Sequence, residues 1–288
     1  RLGKALMLDF PMAYMPHLFQ HEVFGHGYRY RELGFKSNSF QVRLPFPYGR
    51  GGGWALRGSQ REPREEGRHE EIMIRMGGME AAAVFADRIR WRWLDSGKMT
   101  YSESLLFLST FNDINGYILT TNYSSASGGN DVVNYLDELN HFYGVLNRND
   151  YKISLNKLKS NIFLNGVNTF QVYAIISFFG QYLWKGKTGF EFPMINFGEY
   201  QYLPAVSYRL SPFGGEYVLE NFLKHRQNLF QLDIHFGDQI YTNSWTTGLK
   251  WKRNLLATKA YVLGETFLWR QPSLELGGDT RYLTKSGL

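Results

Sequence analysis

The chain has 288 residues, enough for one large domain or two ordinary ones, and it opens on Arg1 rather than Met, which reads as a trimmed or processed start. It holds no cysteine, so disulfides and thiolate metal sites are excluded and any transition-metal site must use His, Asp or Glu. The formal net charge is +6, but Lys and Arg are interspersed with acids, as in REPREEGRHEE at 61–71, so no nucleic-acid partner is expected.

Aromatic residues make up 17% of the chain, with 19 Tyr and 22 Phe, yet the mean hydropathy is -0.35. A chain that is rich in rings but polar on average does not read as a helical membrane protein. It suits a transmembrane β-barrel, with rings at the membrane borders and a polar lumen.

Residues 5–30 read as a helix interrupted by Pro11 and Pro16, each expected to start or kink a segment. Residues 38–58 read as extended, with a glycine turn at 51–53, and 59–69 as a charged, solvated loop. A second helix is expected over 70–95, where alanines favour helix and Gly77-Gly78 permits close packing. Thr100 and Glu103 have capping-box spacing and open a third helix to about Tyr117. A flexible linker at 124–130 precedes a helix capped by Asn130 or Asp131. Residues 152–164 and 167–184 continue the helical pattern, the last being the most apolar segment of the chain.

After Lys187 the period changes to two. Phe230, Leu232, Ile234 and Phe236 alternate with Gln231, Asp233 and His235, and turn signals recur at hairpin spacing. The expected class is α+β: a mainly helical zinc-binding region over 1–187, then an antiparallel region of six to eight strands over 188–288. The second region is expected to form part of an outer-membrane-like barrel, with a soluble β-sandwich as the weaker reading.

The chemistry concentrates in HEVFGH at 21–26, two imidazoles and a carboxylate in an apolar helix where unpaired polar groups are costly. Residues five apart on a regular helix point about 140° away from each other, so both rings reach one ion only if the helix widens locally. Gly25 suits such a bulge. His17, four before His21, is a competing partner whose plainer role is packing or capping.

The segment His21-Glu22-Val23-Phe24-Gly25-His26 resembles the HExxGH zinc motif of dipeptidyl peptidase III, a gluzincin-like metallopeptidase. The resemblance covers these six residues and implies zinc on His21 and His26, with Glu22 as general base and a later glutamate as third ligand. Glu80, in the apolar stretch GGMEAAAVFAD, is the candidate for that position. Asp87 could steady a ligand histidine or simply pair with Arg88 or Arg90, and His141 or Tyr143 could stabilise an oxyanion.

The function expected is zinc-dependent hydrolysis of a peptide or protein substrate, at a bacterial outer membrane or in the periplasm. The alternative is a non-enzymatic barrel, a channel or assembly protein, with a structural metal or histidine cluster. No phosphate-binding loop, dinucleotide fingerprint or serine nucleophile elbow is present.

Overall fold

A computed structural model of the chain describes residues 1–35, 38–58, 67–122, 130–144, 153–212, 214–238, 245–255, 260–270 and 276–279. Most of the expected charged loop at 59–69 and of the 124–130 linker lies outside these residues.

Residues 2–32 run as one helical rod. It passes through Pro16 and contains two π-helical segments, Ala5–Asp9 and Gln20–His26. A hairpin of β1 (Asn38–Val42) and β2 (Gly53–Arg57) packs against the second of them. The long helix Gly67–Ser96 begins inside the stretch expected as loop. It crosses the rod at Gly25, Gly77 and Gly78, where a Cβ on Gly25 would stand 2.6 Å from both the Gly77 carbonyl oxygen and Gly78 Cα. Only glycines allow backbones to approach this closely.

Thr100 makes the full capping box with Glu103, as the spacing requires. The helix it opens ends at Phe111, and a second begins at Asp113 and runs to Thr120. Asn130 caps the helix Asp131–Gly144, its side-chain oxygen accepting from the backbone N–H groups of Val132 and Val133. Leu155–Asn161, a 3-10 turn at Ile162–Val167 and the helix Thr169–Ile175, continued by the π segment Ile176–Trp184, complete the helices. Among the described residues no single helix is long and apolar enough to cross a membrane, though the bent pair Leu155–Val167 and Thr169–Trp184 passes by length and composition together.

The strands β3 (Lys98–Thr100) and β4 (Gly189–Glu191) pair and stitch the two regions together. Then follow β5 (Ile195–Phe197), β6 (Tyr200–Ser211), β7 (Gly214–His225), β8 (Asn228–Asp238), β9 (Trp245–Leu255), β10 (Ala260–Arg270) and β11 (Leu276–Asp279). These form one antiparallel sheet in chain order, β5 at one end and β11 at the other. Among the described residues the two ends do not pair, so the expected barrel is corrected to an open sheet.

Two structural reasons account for the open form. Beyond its short pairing with β5, the free edge of β6 is closed by helical side chains instead of a strand. Asn165 exchanges hydrogen bonds with the Tyr208 backbone, while Asn168 and Thr169 donate to the carbonyls of Val206 and Pro204. The inner face is filled by the long helix, whose Ala86, Ile89, Trp93 and Leu94 share a core with Leu203, Ala205, Phe222 and Leu229. The face that a barrel would turn to its lumen is occupied by protein.

Candidate metal centre

The wide turn that the five-residue spacing demands is present. Gln20–His26 is π-helical, and the widened turn brings residues five apart onto one side of the helix. His21 Nε2 and His26 Nε2 come within 3.2 Å. The long helix closes the site from behind, because a Cβ on Gly78 would collide with the His21 ring.

The carboxylate that joins the two rings is Asp131. Its Oδ2 lies 3.1 Å from His26 Nε2 and 3.4 Å from His21 Nε2. A tetrahedral ion with bonds of about 2.0–2.1 Å has ligand-to-ligand edges of roughly 3.3–3.4 Å. The three observed separations therefore suit a single small cation, and this buried His/Asp cluster could hold a metal ion.

Each imidazole is oriented through its other nitrogen. His21 Nδ1 contacts Asp113 Oδ2 at 2.8 Å, and His26 Nδ1 donates to the Ile74 carbonyl at 2.8 Å. Both Nε2 atoms are thereby turned to the common point, the arrangement that fixes tautomer and ring plane in metal sites. The other Asp113 oxygen holds His17 Nε2 at 2.8 Å, so His17 stands behind the cluster. His17, His21 and Asp113 also lie close enough to hold an ion, but that arrangement would use His21 Nδ1 rather than its inward Nε2.

Glu22 is 4% exposed and sits under the start of β2, where a Cβ on Gly53 would meet its Cγ at 2.9 Å. Burial raises its pKa above the ordinary carboxylate value, against the pull of His21 and His26. Burial would likewise raise Asp113 and Asp131, but the histidines overcome it and hold both well below the usual range. Burial would lower His21, but Asp113 and Asp131 raise it well above its ordinary value. This pocket favours positive charge, and among the described residues no Lys or Arg pairs with Glu22, Asp113 or Asp131.

Tyr117 completes the surroundings. Its ring stacks on His21 at 5.2 Å between centroids, and its hydroxyl lies 3.4 Å from His21 Nε2. Burial, then the nearby carboxylates, push its pKa far upward, so at neutral pH it keeps its proton.

Several expected site residues lie elsewhere. Glu80 is two positions past Gly78, about 200° round the long helix, and pairs with Arg29 Nη2 at 2.5 Å. Asp87 faces the sheet, where it pairs with Arg90 and lies 3.8 Å from Arg209. His141 is exposed and lines an open groove with Glu71, Asp137 and Glu138. The side chain of Tyr143 lies outside the described residues.

Sequence reasoning missed Asp113, Tyr117 and Asp131. The adjacent pair Asn130-Asp131 carried a usable signal: one helix start needs one cap, and Asn130 serves it, leaving Asp131 spare. Comparison with known protein families, characterised proteins and solved structures gives no match.

Proposed function

We propose that the protein is a zinc-dependent hydrolase of peptide bonds. The observation that carries this reading is the convergence of His21 Nε2, His26 Nε2 and Asp131 Oδ2, 3.1–3.4 Å apart, beside the buried Glu22. His21, His26 and Asp131 would hold the ion, which when bound supplies Lewis acidity and brings the pKa of a coordinated water towards about 7.

Glu22 takes the proton of the attacking water and returns it to the leaving amine. Its raised pKa brings its basicity closer to neutral, where a general base works best. Tyr117, protonated at neutral pH, donates to the oxyanion as the carbonyl is attacked. Asp113 positions His21 without touching substrate. The choice of peptide bonds rests on the likeness of residues 21–26 to the HExxGH motif.

The test is Glu22→Gln, which keeps size and removes basicity. Zinc should stay at one ion per chain by elemental analysis, while peptide hydrolysis falls by roughly 10²–10⁴. Loss of zinc in this variant would make Glu22 a ligand. Purified wild-type protein that carries no zinc, and takes none up, would leave the cluster an ion-free hydrogen-bonded network.

A further inference from the structure

Beside its apolar patch against the long helix, the centre of the sheet reverses the usual polarity. Its face against the long helix carries Glu220, Gln231 and Asp233, each 1% exposed or less, beside the buried Arg90. Its opposite face carries Leu219, Leu232 and Leu249, exposed at 37%, 44% and 46%. A one-sided antiparallel sheet in water shows the reverse pattern, apolar inward and polar outward.

The strand register orders the outward face into rows. Two central rows, Pro204-Asn221-Leu232-Leu249 and Val206-Leu219-Ile234-Thr247, contain no ring. The row on one side holds Tyr202, Phe230 and Trp251, and the row on the other holds Tyr217, Phe236 and Trp245, while its β6 member Tyr208 is buried among Leu155, Leu158 and Ile162, with Tyr217 packed beside it. The two ring rows are six residues apart along each strand, about 20 Å. An aliphatic band between two aromatic borders is the composition of a surface that meets hydrocarbon at its centre and headgroups at its margins.

Three polar side chains on this face are paired within it. Tyr202 donates to Asn221 Oδ1 at 2.7 Å, Asn221 donates to the Leu232 carbonyl, and Thr247 donates to the Asp233 carbonyl at 3.0 Å. The edge of β6 is satisfied too, by Asn165, Asn168 and Thr169. Backbone groups that border hydrocarbon must be paired within the protein, because no solvent there can pair them.

We propose that the outward face of β7–β9 packs against the acyl chains of a lipid bilayer, with the ring rows at the two borders of the hydrocarbon layer. Lipid, rather than a second copy of the chain, is favoured by the ring-bordered band and by the paired edge of β6.

The absence of cysteine allows a direct test on the full chain. Single Leu219→Cys, Leu232→Cys and Leu249→Cys variants, each carrying a nitroxide, are reconstituted in phosphatidylcholine/phosphatidylglycerol vesicles, with exposed Lys98→Cys as control. Collision with dissolved oxygen should exceed collision with a water-soluble nickel chelate at the three leucine positions and reverse at Lys98. Chelate access at the leucines equal to that at Lys98 would overturn the proposal. So would a protein that stays monodisperse without detergent and does not float with vesicles, or a dimer in which labels at Leu232 lie close together in detergent and vesicles alike.

Discussion

Two buried clusters of carboxylates in this molecule are handled in opposite ways. Between the long helix and the sheet, Asp87, Glu220 and Asp233 face Arg90, Arg209 and Lys250, three carboxyl groups against three cations. The Arg90 guanidinium reaches both Glu220 oxygens at 2.8 Å, the forked pairing that satisfies both groups at once. At the crossing of the rod and the long helix, Glu22, Asp113 and Asp131 meet only imidazoles among the described residues. The first cluster is complete in its own charges and belongs to packing. The second lacks a fixed cation, and its donors converge on one point. Charge balance separates the two more sharply than burial does, since both are buried.

Breaking the second cluster should have the largest effect. The double change His21→Ala/His26→Ala should abolish stoichiometric metal binding, read by elemental analysis; zinc retained at one per chain would end the proposed site. In the first cluster, Glu220→Ala leaves Arg90 with Asp87 alone and should cost about 1–3 kcal/mol of stability in denaturant, with metal content unchanged. That cost should depend on pH. Burial alone would raise the Glu220 pKa, but Arg90 and Arg209 outweigh it and lower it in the folded state, so the contribution is full above the unfolded carboxylate range. It is lost as the pH falls from there through the folded value, and the gap between wild type and variant should close in acid.

A finer probe is Asp113→Asn, which keeps His21 in place but weakens its orienting partner. Metal affinity should fall about 10–100-fold in a chelator competition, without loss of the fold. An unchanged affinity would show that Asp113 serves His17 alone. The smallest effect belongs to Glu80→Gln. Its half-exposed pair with Arg29 should be worth less than about 1 kcal/mol, and metal content should not move.

The sequence made the helix Gly67–Ser96, the Thr100 cap and the strand texture after Lys187 legible, because each rests on local period or local hydrogen bonds. The histidine spacing also carried its own solution, since rings five positions apart require a widened turn. What escaped was long-range. Asp113 and Asp131 lie 92 and 110 residues from His21, and nothing local marks which carboxylate a fold will return to a given ring. Glu80 was attractive because it stood in an apolar run, yet Arg29 on the neighbouring rod answers that cost. The alternation of β8 was read correctly as a strand, but alternation alone does not say which face is covered. The apolar set Leu232 and Phe236 lies outward, and the polar set Gln231 and Asp233 lies inward.

The π segment Gln20–His26 also sets the phase of everything before it. Deleting Val23 or Phe24 would bring the two histidines to a spacing of four, which an ordinary helix serves without distortion. The same deletion would swing residues 2–20 by about 100° relative to the histidine end. His17 would turn away from Asp113, and the buried stripe through Ala5, Ala13 and Leu18 would rotate out of its contacts. The extra residue lets one continuous rod keep two angular settings, one for the face it buries upstream and one for the rings it presents downstream.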